Sequence, residues 1–147
     1  MKTKAIRLHG ENDIRFEEFN LPEITPNEVL IKVVTDSLCA STYKAVKQGV
    51  KHKRVPPDIS ENPVIIGHEM CGVIIKVGAN LVGKWKEGQK IVIQPALKLE
   101  SGYDPGYSYK YVGGNTQYAV VPEIVLERGC LLEYNGGSYF EGSLVES

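Results

Sequence analysis

The chain has 147 residues, of which 42% are hydrophobic and 24% are charged, which suits one domain with a buried core. Seventeen Lys and Arg residues nearly balance eighteen Asp and Glu residues, so the formal net charge is -1. A chain without a strong overall field is not drawn to nucleic acid or to an anionic membrane. Small molecules or proteins are therefore the expected partners.

Targeting and cysteine patterns narrow the class further. The first residues lack the apolar run of a signal peptide, and no later stretch approaches the roughly 18 apolar residues of a membrane span. Cys39, Cys71 and Cys130 are odd in number and far apart, which argues against a disulfide framework and against a zinc finger. The sequence predicts a soluble, cytoplasmic protein with reduced thiols.

Six segments have the alternating or continuously apolar pattern of β-strands. They are residues 3–8, 13–19, 28–38, 73–77, 91–93 and 117–122. The segments 21–27, 50–63 and 95–116 are rich in proline, glycine or polar residues and are predicted to be loops. Many short strands separated by turns predict a mainly β domain, either a barrel or a sandwich, with small helical additions.

One short helix is predicted directly after Cys39. Ser41 or Thr42 can cap its start, and it continues to about Gln48. Gly49 stands where a helix stop is expected.

The stretch Gly67-His68-Glu69 leads into an apolar strand and has the character of a metal-binding turn. A neutral imidazole and a carboxylate are both zinc ligands, and successive residues share one metal only on irregular or extended backbone. Gly67 gives the chain freedom for such a bend. The alternative is an ordinary His–Glu pair at a strand edge, hydrogen-bonded to the backbone.

Three motifs together resemble the zinc-dependent medium-chain alcohol and polyol dehydrogenases. They are Gly67-His68-Glu69-x-x-Gly72-x5-Gly78, Cys39-Ala40-Ser41-Thr42 and Gly88-Gln89-Lys90-Ile91-Val92. The resemblance covers residues 1–147 and implies the catalytic domain of that family, a mainly β GroES-like β-barrel with short helices. Three further stretches, residues 62–69, 94–96 and 105–114, resemble L-sorbose 1-phosphate reductases.

The resemblance implies a set of site residues. Cys39 and His68 fall on the first two zinc ligands of the family, Glu69 on a carboxylate that binds zinc directly or from behind, and Glu146 on a late glutamate that approaches the same metal. Ser41 matches the hydroxyl that relays the proton during hydride transfer, so Ser41 and Glu69 are the expected catalytic residues. The alternatives are a buried structural thiol for Cys39 and a plain helix cap for Ser41.

Two departures from the family pattern affect these expectations. Thr42 stands where many members have an aspartate close behind the zinc, so support of the metal site must differ here. Residues 95–116 contain no cysteine, whereas members with a structural zinc have four there, so one catalytic zinc and no structural zinc are predicted. Within this loop, Tyr109 is a candidate for contact with the substrate, and the alternative is a role in local packing.

Basic residues after Cys39 suggest how a phosphorylated substrate could be held. Lys44 and Lys47 are the candidates, because a sugar phosphate needs cationic donors near the reacting centre. The alternative is a solvated helix face.

A dinucleotide fingerprint is missing. No G-x-G-x-x-G follows a strand and opens a helix, so residues 1–147 are expected to be an N-terminal fragment of a longer dehydrogenase whose other domain binds NAD or NADP. The fragment is expected to be inactive alone, and the parent to be a homo-oligomer. The expected reaction interconverts a ketose or its phosphate with a polyol or its phosphate, with L-sorbose 1-phosphate and D-glucitol 6-phosphate as the first candidates. The alternatives are a freestanding GroES-like module that binds a partner without catalysis, and a small zinc-storage or structural protein.

Overall fold

The computed structural model describes residues 1–139 and 142 and is mainly β. The strands are β1 (Lys2–Gly10), β2 (Asp13–Asn20), β3 (Val29–Asp36), β4 (Val64–Ile65), β5 (Met70–Val77), β6 (Lys90–Ile93), β7 (Tyr118–Val121) and β8 (Leu131–Glu133). The helices include α1 (Ala40–Gln48) and α2 (Glu123–Glu127), and short 3-10 turns cover Gly49–Lys51 and Ala79–Leu81. The predicted mainly β fold with short helices is confirmed. No helix in the described residues is long and apolar enough to cross a membrane.

The strands pair in two antiparallel sheets. One sheet has the order β2-β1-β4, and the other has the order β7-β3-β5-β6-β8. A single bridge between Ala5 and Thr116 connects β1 of the first sheet to the segment that leads into β7 of the second. Short turns suffice for neighbours such as β1 and β2, whereas β3 and β5 pair across α1 and a long loop.

Two apolar clusters form the core. The larger one lies on the five-stranded sheet and is built from alternate strand residues such as Val29, Ile31 and Ile74, because successive strand side chains point to opposite faces. The smaller one joins β1, α1 and the loop before β4, and its members are Leu8, Ala45, Val55, Ile59, Val64, Ile66 and Tyr107. Residues 50–63 therefore form more than the surface loop that the sequence predicts, because Val55 and Ile59 are buried.

The start of α1 corrects the predicted helix cap. Cys39 occupies the cap position in extended conformation, and its side chain makes no capping hydrogen bond. Ser41 and Thr42 lie inside the first turn, so the prediction that either one caps the helix is wrong. Their hydroxyl groups face His68 instead. Gly49 follows the helix with φ 54, as a helix stop requires.

Several short elements have no counterpart in the sequence prediction. β5 begins at Met70, three residues earlier than predicted, and β4, α2 and β8 were not predicted. Each of the missed elements has two to five residues, which is too short for periodicity to reveal. Two of them, β4 and β8, are strands because they pair with β1 and β6, respectively.

The loop 95–116 is packed into the domain around a buried carboxylate. Asp104 accepts a hydrogen bond of 2.8 Å from the Leu97 N–H and lies 3.4 Å from the Arg54 guanidinium. Its own N–H donates to the Ser108 hydroxyl at 3.0 Å. Burial raises the pKa of Asp104, and the hydrogen bond from Leu97 and the charge of Arg54 act in the opposite direction. These contacts fix the loop at its middle.

Gly67 occupies a position that a side chain would disrupt. Its φ is 94, and a Cβ atom there would collide with the Asp36 carboxylate and the Asn115 amide. We expect Gly67→Ala to lower the free energy of unfolding by about 2 kcal/mol, because strained backbone and steric overlap add together. Urea denaturation of the two chains measures the difference.

Gly83→Ala is the matched control, because a Cβ atom at Gly83 would meet no other atom within 4 Å and the change should be tolerated. Equal losses for the two substitutions would show that Gly67 is not constrained.

Candidate metal centre

The pairing of β3 with β5 brings two distant parts of the chain together. Asp36 at the end of β3 lies opposite Met70 at the start of β5. Cys39 follows β3 by three residues, and His68 and Glu69 immediately precede β5, so all three reach the same end of the sheet. One ligand atom from each lies within 4.8 Å of the other two. Among residues 1–139 and 142, this is the group of His, Cys, Asp and Glu side chains that could share a metal ion.

Burial and hydrogen bonding prepare His68 and Glu69. The side chains are 9% and 7% exposed, and His68 Nε2 lies 3.8 Å from Glu69 Oε1. Burial lowers the pKa of His68 and outweighs the opposing charge of Glu69, so the imidazole is neutral at neutral pH, as a metal ligand must be. The Ser37 hydroxyl donates to Glu69 Oε2, and the Ser37 N–H donates to the Glu69 carbonyl at 3.1 Å.

Asp36 lies directly behind this pair. Its Oδ1 accepts a hydrogen bond of 3.0 Å from the Glu69 N–H, and its Oδ2 accepts one from the Asn115 amide. Burial and, less strongly, the charge of Glu69 raise the pKa of Asp36 to about 7, although both hydrogen bonds oppose the shift. Asp36 was not among the residues singled out from the sequence, because an aspartate at a strand end is common at turns.

Ser41 and Thr42 reach the cluster from the first turn of α1. Ser41 Oγ lies 3.0 Å from Cys39 Sγ and 3.4 Å from His68 Nε2. Thr42 Oγ1 lies 3.3 Å from His68 Nδ1, so a hydroxyl contacts the imidazole where the resemblance implies an aspartate in other members. A helix that starts at Ala40 aims these neighbouring side chains at the same imidazole.

Tyr107 is a site residue that the sequence reasoning missed. Its hydroxyl donates a hydrogen bond of 3.0 Å to Ser41 Oγ, and its ring stacks on His68 with centroids 5.1 Å apart. The residue is 1% exposed. Tyr107 lies within the stretch 105–114 that carries the resemblance to sugar-phosphate reductases, and this stretch was the available signal.

The remaining candidates lie away from the cluster or outside the described residues. Tyr109 packs against the larger core cluster, and its carbonyl accepts a hydrogen bond from the Ile65 N–H at 3.1 Å. Lys44 and Lys47 are exposed on α1, where the Lys47 ammonium lies 5.8 Å from the Tyr43 ring centroid. Glu146 lies outside the described residues.

Comparison with known proteins identifies the family. The alcohol dehydrogenase GroES-like domain family matches residues 25–132. The chain belongs to this family. The GroES-like chain is 48% identical over 145 residues to mannitol-1-phosphate 5-dehydrogenase of Aliivibrio fischeri, a match that covers 99% of this chain and 34% of the relative. It is also 48% identical over 145 residues to L-sorbose 1-phosphate reductase of Klebsiella pneumoniae, covering 98% of this chain and 35% of the relative.

Solved structures agree with this assignment. 2R,3R-butanediol dehydrogenase from Bacillus subtilis superimposes with a TM-score of 0.74 and 28% sequence identity, covering 98% of this chain and 44% of that one. The GroES-like chain spans about a third of the length of the two relatives above. The resemblance to the medium-chain dehydrogenases is confirmed.

The donor set of the GroES-like domain fits zinc. A thiol, an imidazole and a carboxylate are the side chains that zinc prefers in proteins. Ligand atoms on a tetrahedral zinc lie roughly 3.5 Å apart, so donor atoms within 4.8 Å of one another need only small shifts to share an ion. Cys39, His68 and Glu69 would be the side chains that hold it.

The raised pKa of Asp36 makes stability depend on pH in a defined direction. The folded-state pKa of about 7 lies above the ordinary value of 3.8, so the stability linked to the protonated carboxyl is complete below pH 4 and is lost as the pH rises through 7. Asp36→Asn removes the charge. We therefore expect the free energy of unfolding of Asp36→Asn, measured relative to that of the unmodified chain, to rise by on the order of 1 kcal/mol as the pH increases from 5 to 8.

Urea denaturation of both chains in the presence of a chelator, at each pH from 5 to 8, gives the difference. Asp58→Asn is the control, because Asp58 is exposed and its carboxylate pairs with Asn62 on the surface. A difference for Asp36→Asn that does not change with pH would contradict the assignment.

Proposed function

We propose that this GroES-like chain is the catalytic domain of a zinc-dependent, NAD- or NADP-linked oxidoreductase that interconverts a ketose and a polyol. The observation that carries the proposal is the group of half-buried Cys39 and buried His68 and Glu69, whose ligand atoms lie within 4.8 Å of one another. A strand-edge His–Glu pair with a backbone role alone would not need a cysteine thiol at this distance. The family membership of the chain supports the same function.

The chemistry divides between the metal and the residues around it. A bound zinc would act as a Lewis acid on the substrate carbonyl or hydroxyl. Ser41 Oγ, which can donate one hydrogen bond and accept two, relays the substrate proton: it passes one proton on as it accepts another, and the half-buried side chain exchanges the second proton with solvent. The Ser37 hydroxyl and the hydrogen bond from the Glu69 N–H to Asp36 hold Glu69 beside the other two ligand side chains. Burial of His68 keeps its imidazole neutral and so available as a ligand.

The nicotinamide cofactor is assigned to a part of the parent enzyme outside residues 1–147. The GroES-like chain carries no glycine-rich fingerprint between a strand and a helix, which the binding of a dinucleotide uses. In this proposal the parent enzyme is a cytoplasmic homo-oligomer that acts on a small molecule.

Within this function we assign the substrate to phosphorylated six-carbon polyols and ketoses. The support is 48% identity to mannitol-1-phosphate 5-dehydrogenase and to L-sorbose 1-phosphate reductase. Reduction of L-sorbose 1-phosphate to D-glucitol 6-phosphate is the first candidate. Lys44 and Lys47 remain the proposed phosphate contacts, and Tyr109 a proposed substrate contact.

A second basic group competes with the helix lysines for the phosphate. Lys53, Arg54 and Lys98 line a cavity of about 260 Å³ next to Asp104. The guanidinium of Arg54 lies 5.1 Å from the centroid of Tyr107, which contacts Ser41 and His68. The substrate experiment below separates the two groups.

Zinc binding tests the metal centre directly. We expect the chain to bind one zinc ion per molecule and Cys39→Ser to weaken the affinity at least a hundredfold, because a serine hydroxyl does not replace a thiolate ligand. Competition with a chromophoric chelator measures the affinity. Cys130→Ala, which changes a buried thiol in the core, is the control and should keep the zinc.

Full retention of zinc by Cys39→Ser would refute the ligand set. A wild-type chain that takes up no zinc would favour a GroES-like binding module without metal chemistry.

Substrate preference tests the assignment of the reaction. The protein translated from the complete reading frame should reduce L-sorbose 1-phosphate, or oxidise D-glucitol 6-phosphate, with a kcat/KM at least tenfold above that for the unphosphorylated sugars. Replacement of Lys44 and Lys47 by alanine should raise KM several-fold for phosphorylated substrates alone, since each lost cation removes one charge-assisted contact. The change in NAD(P)H absorbance with time gives kcat and KM for each substrate.

Replacement of Lys53 and Lys98 by alanine is the matched comparison. A rise in KM confined to this second pair would move the phosphate site to the cavity beside Asp104. An equal kcat/KM for phosphorylated and unphosphorylated sugars would refute the substrate class.

A further inference from the structure

Ser41 depends on a tyrosine that comes from a distant loop. We propose that Tyr107 is the positioning residue for Ser41: its hydroxyl holds Ser41 Oγ in the orientation that proton transfer requires. The inference rests on the proposed function and assigns a role to a residue in the loop 95–116, far from Ser41 in the sequence. Tyr107 acts through Ser41 and does not itself touch the substrate.

Ser41 Oγ has three polar neighbours among the described residues. A serine hydroxyl has one proton to donate and two lone pairs that accept. The described polar contacts of Ser41 Oγ are with Cys39 Sγ at 3.0 Å, His68 Nε2 at 3.4 Å and the Tyr107 hydroxyl at 3.0 Å. Cys39 and His68 are the proposed metal ligands. Tyr107 is therefore the described neighbour of Ser41 that remains when the ligand atoms are engaged.

The direction of the hydrogen bond between Tyr107 and Ser41 limits where the serine proton can point. Tyr107 donates to Ser41 Oγ, so one lone pair of the serine oxygen is occupied. The serine proton then cannot point at Tyr107 and is directed to the side of the hydroxyl where Cys39 and His68 lie. A freely rotating hydroxyl would spend part of its time in other orientations, and Tyr107 removes this freedom.

Tyr107 is itself held in place by its surroundings, as a positioning residue must be. The ring is 1% exposed and stacks on His68 and on His52, with centroids 5.1 Å and 5.7 Å away. The guanidinium of Arg54 lies 5.1 Å from the same ring and is paired with the buried Asp104. Packing and charge thus hold the phenol in one place before any substrate binds.

The backbone beside Tyr107 adds a further constraint. Gly106 has φ 86, and a Cβ atom there would collide with the carbonyl of Gly67. The loop therefore presses backbone against backbone next to the His68 turn. Gly114 reinforces this contact by donating its N–H to the Gly67 carbonyl at 2.6 Å.

The test uses the zinc-loaded protein translated from the complete reading frame. Tyr107→Phe keeps the stacked ring and removes only the hydroxyl. We expect kcat to fall about tenfold, the effect of one hydrogen bond, and KM to stay within twofold. In the Ser41→Ala background the same substitution should change kcat by less than twofold, because its target is gone. Tyr103→Phe, in the same loop, is the control and should behave as wild type.

Two readouts separate positioning from a structural role. The visible absorption spectrum of the cobalt-substituted Tyr107→Phe protein should match that of wild type, because the ligands are unchanged. In urea denaturation, Ser41→Ala and Tyr107→Phe should be non-additive, since either one breaks the same hydrogen bond.

Each alternative result overturns the inference. An unchanged kcat in Tyr107→Phe, equal losses in the wild-type and Ser41→Ala backgrounds, or an altered cobalt spectrum would each do so. If the unmodified protein interconverts no ketose and polyol, the proposed function fails separately. The stability measurement still decides the inference in that case, because additive losses would show that Tyr107 does not hold Ser41.

Discussion

The antiparallel ladder between β3 and β5 is the constraint on which the site depends. Asp36 and Met70 face each other at the end of this ladder, so the chain leaving β3 and the chain entering β5 lie side by side. The Ser37 N–H continues the ladder by one more bond, to the Glu69 carbonyl. Because a backbone ladder allows little relative movement, Cys39 and Glu69 are held at short distance without any direct bond between them.

Around Cys39, His68 and Glu69, polar groups of the protein supply the hydrogen bonds that water would otherwise make. Asp36 accepts from the Glu69 backbone and from Asn115, and Ser37 donates to the Glu69 carboxylate. Within the described residues, no buried side-chain nitrogen or oxygen lacks a hydrogen-bond partner. The same burial that keeps His68 neutral raises the pKa of Asp36, so one physical cause adjusts both groups in the direction that disfavours charge.

The loop 95–116 contributes to the site through its rigidity. It contains no cysteine, and its described anchors are the Asp104–Arg54 ion pair and the hydrogen bonds among Asp104, Leu97 and Ser108. These contacts place Tyr107 against His68 and Ser41. The neighbouring segment 50–63 holds the loop through Arg54, and Tyr107 in the loop contacts both the guanidinium of Arg54 and the ring of His68.

The sequence by itself determined the elements and residue types that local chemistry dictates. The apolar runs specify the main strands. Gly67 before His68 and Glu69 indicates the turn, because a glycine next to two adjacent ligand-type side chains is visible in the sequence, and the structure gives this glycine a φ of 94. The motif around Cys39 and Ser41 was equally readable. The family followed from these motifs, since they lie at fixed spacing along the chain.

The tertiary structure alone decided the contacts between segments that are far apart in sequence. It placed Tyr107 beside Ser41, 66 residues away, and Asn115 beside Asp36, 79 residues away. It also excluded the helix-cap alternative for Ser41 and placed the Ser41 hydroxyl beside Cys39 and His68, because α1 starts one residue before Ser41. Hydrophobic periodicity records which face of a strand is buried, but a single hydrogen bond between distant side chains leaves no periodic trace.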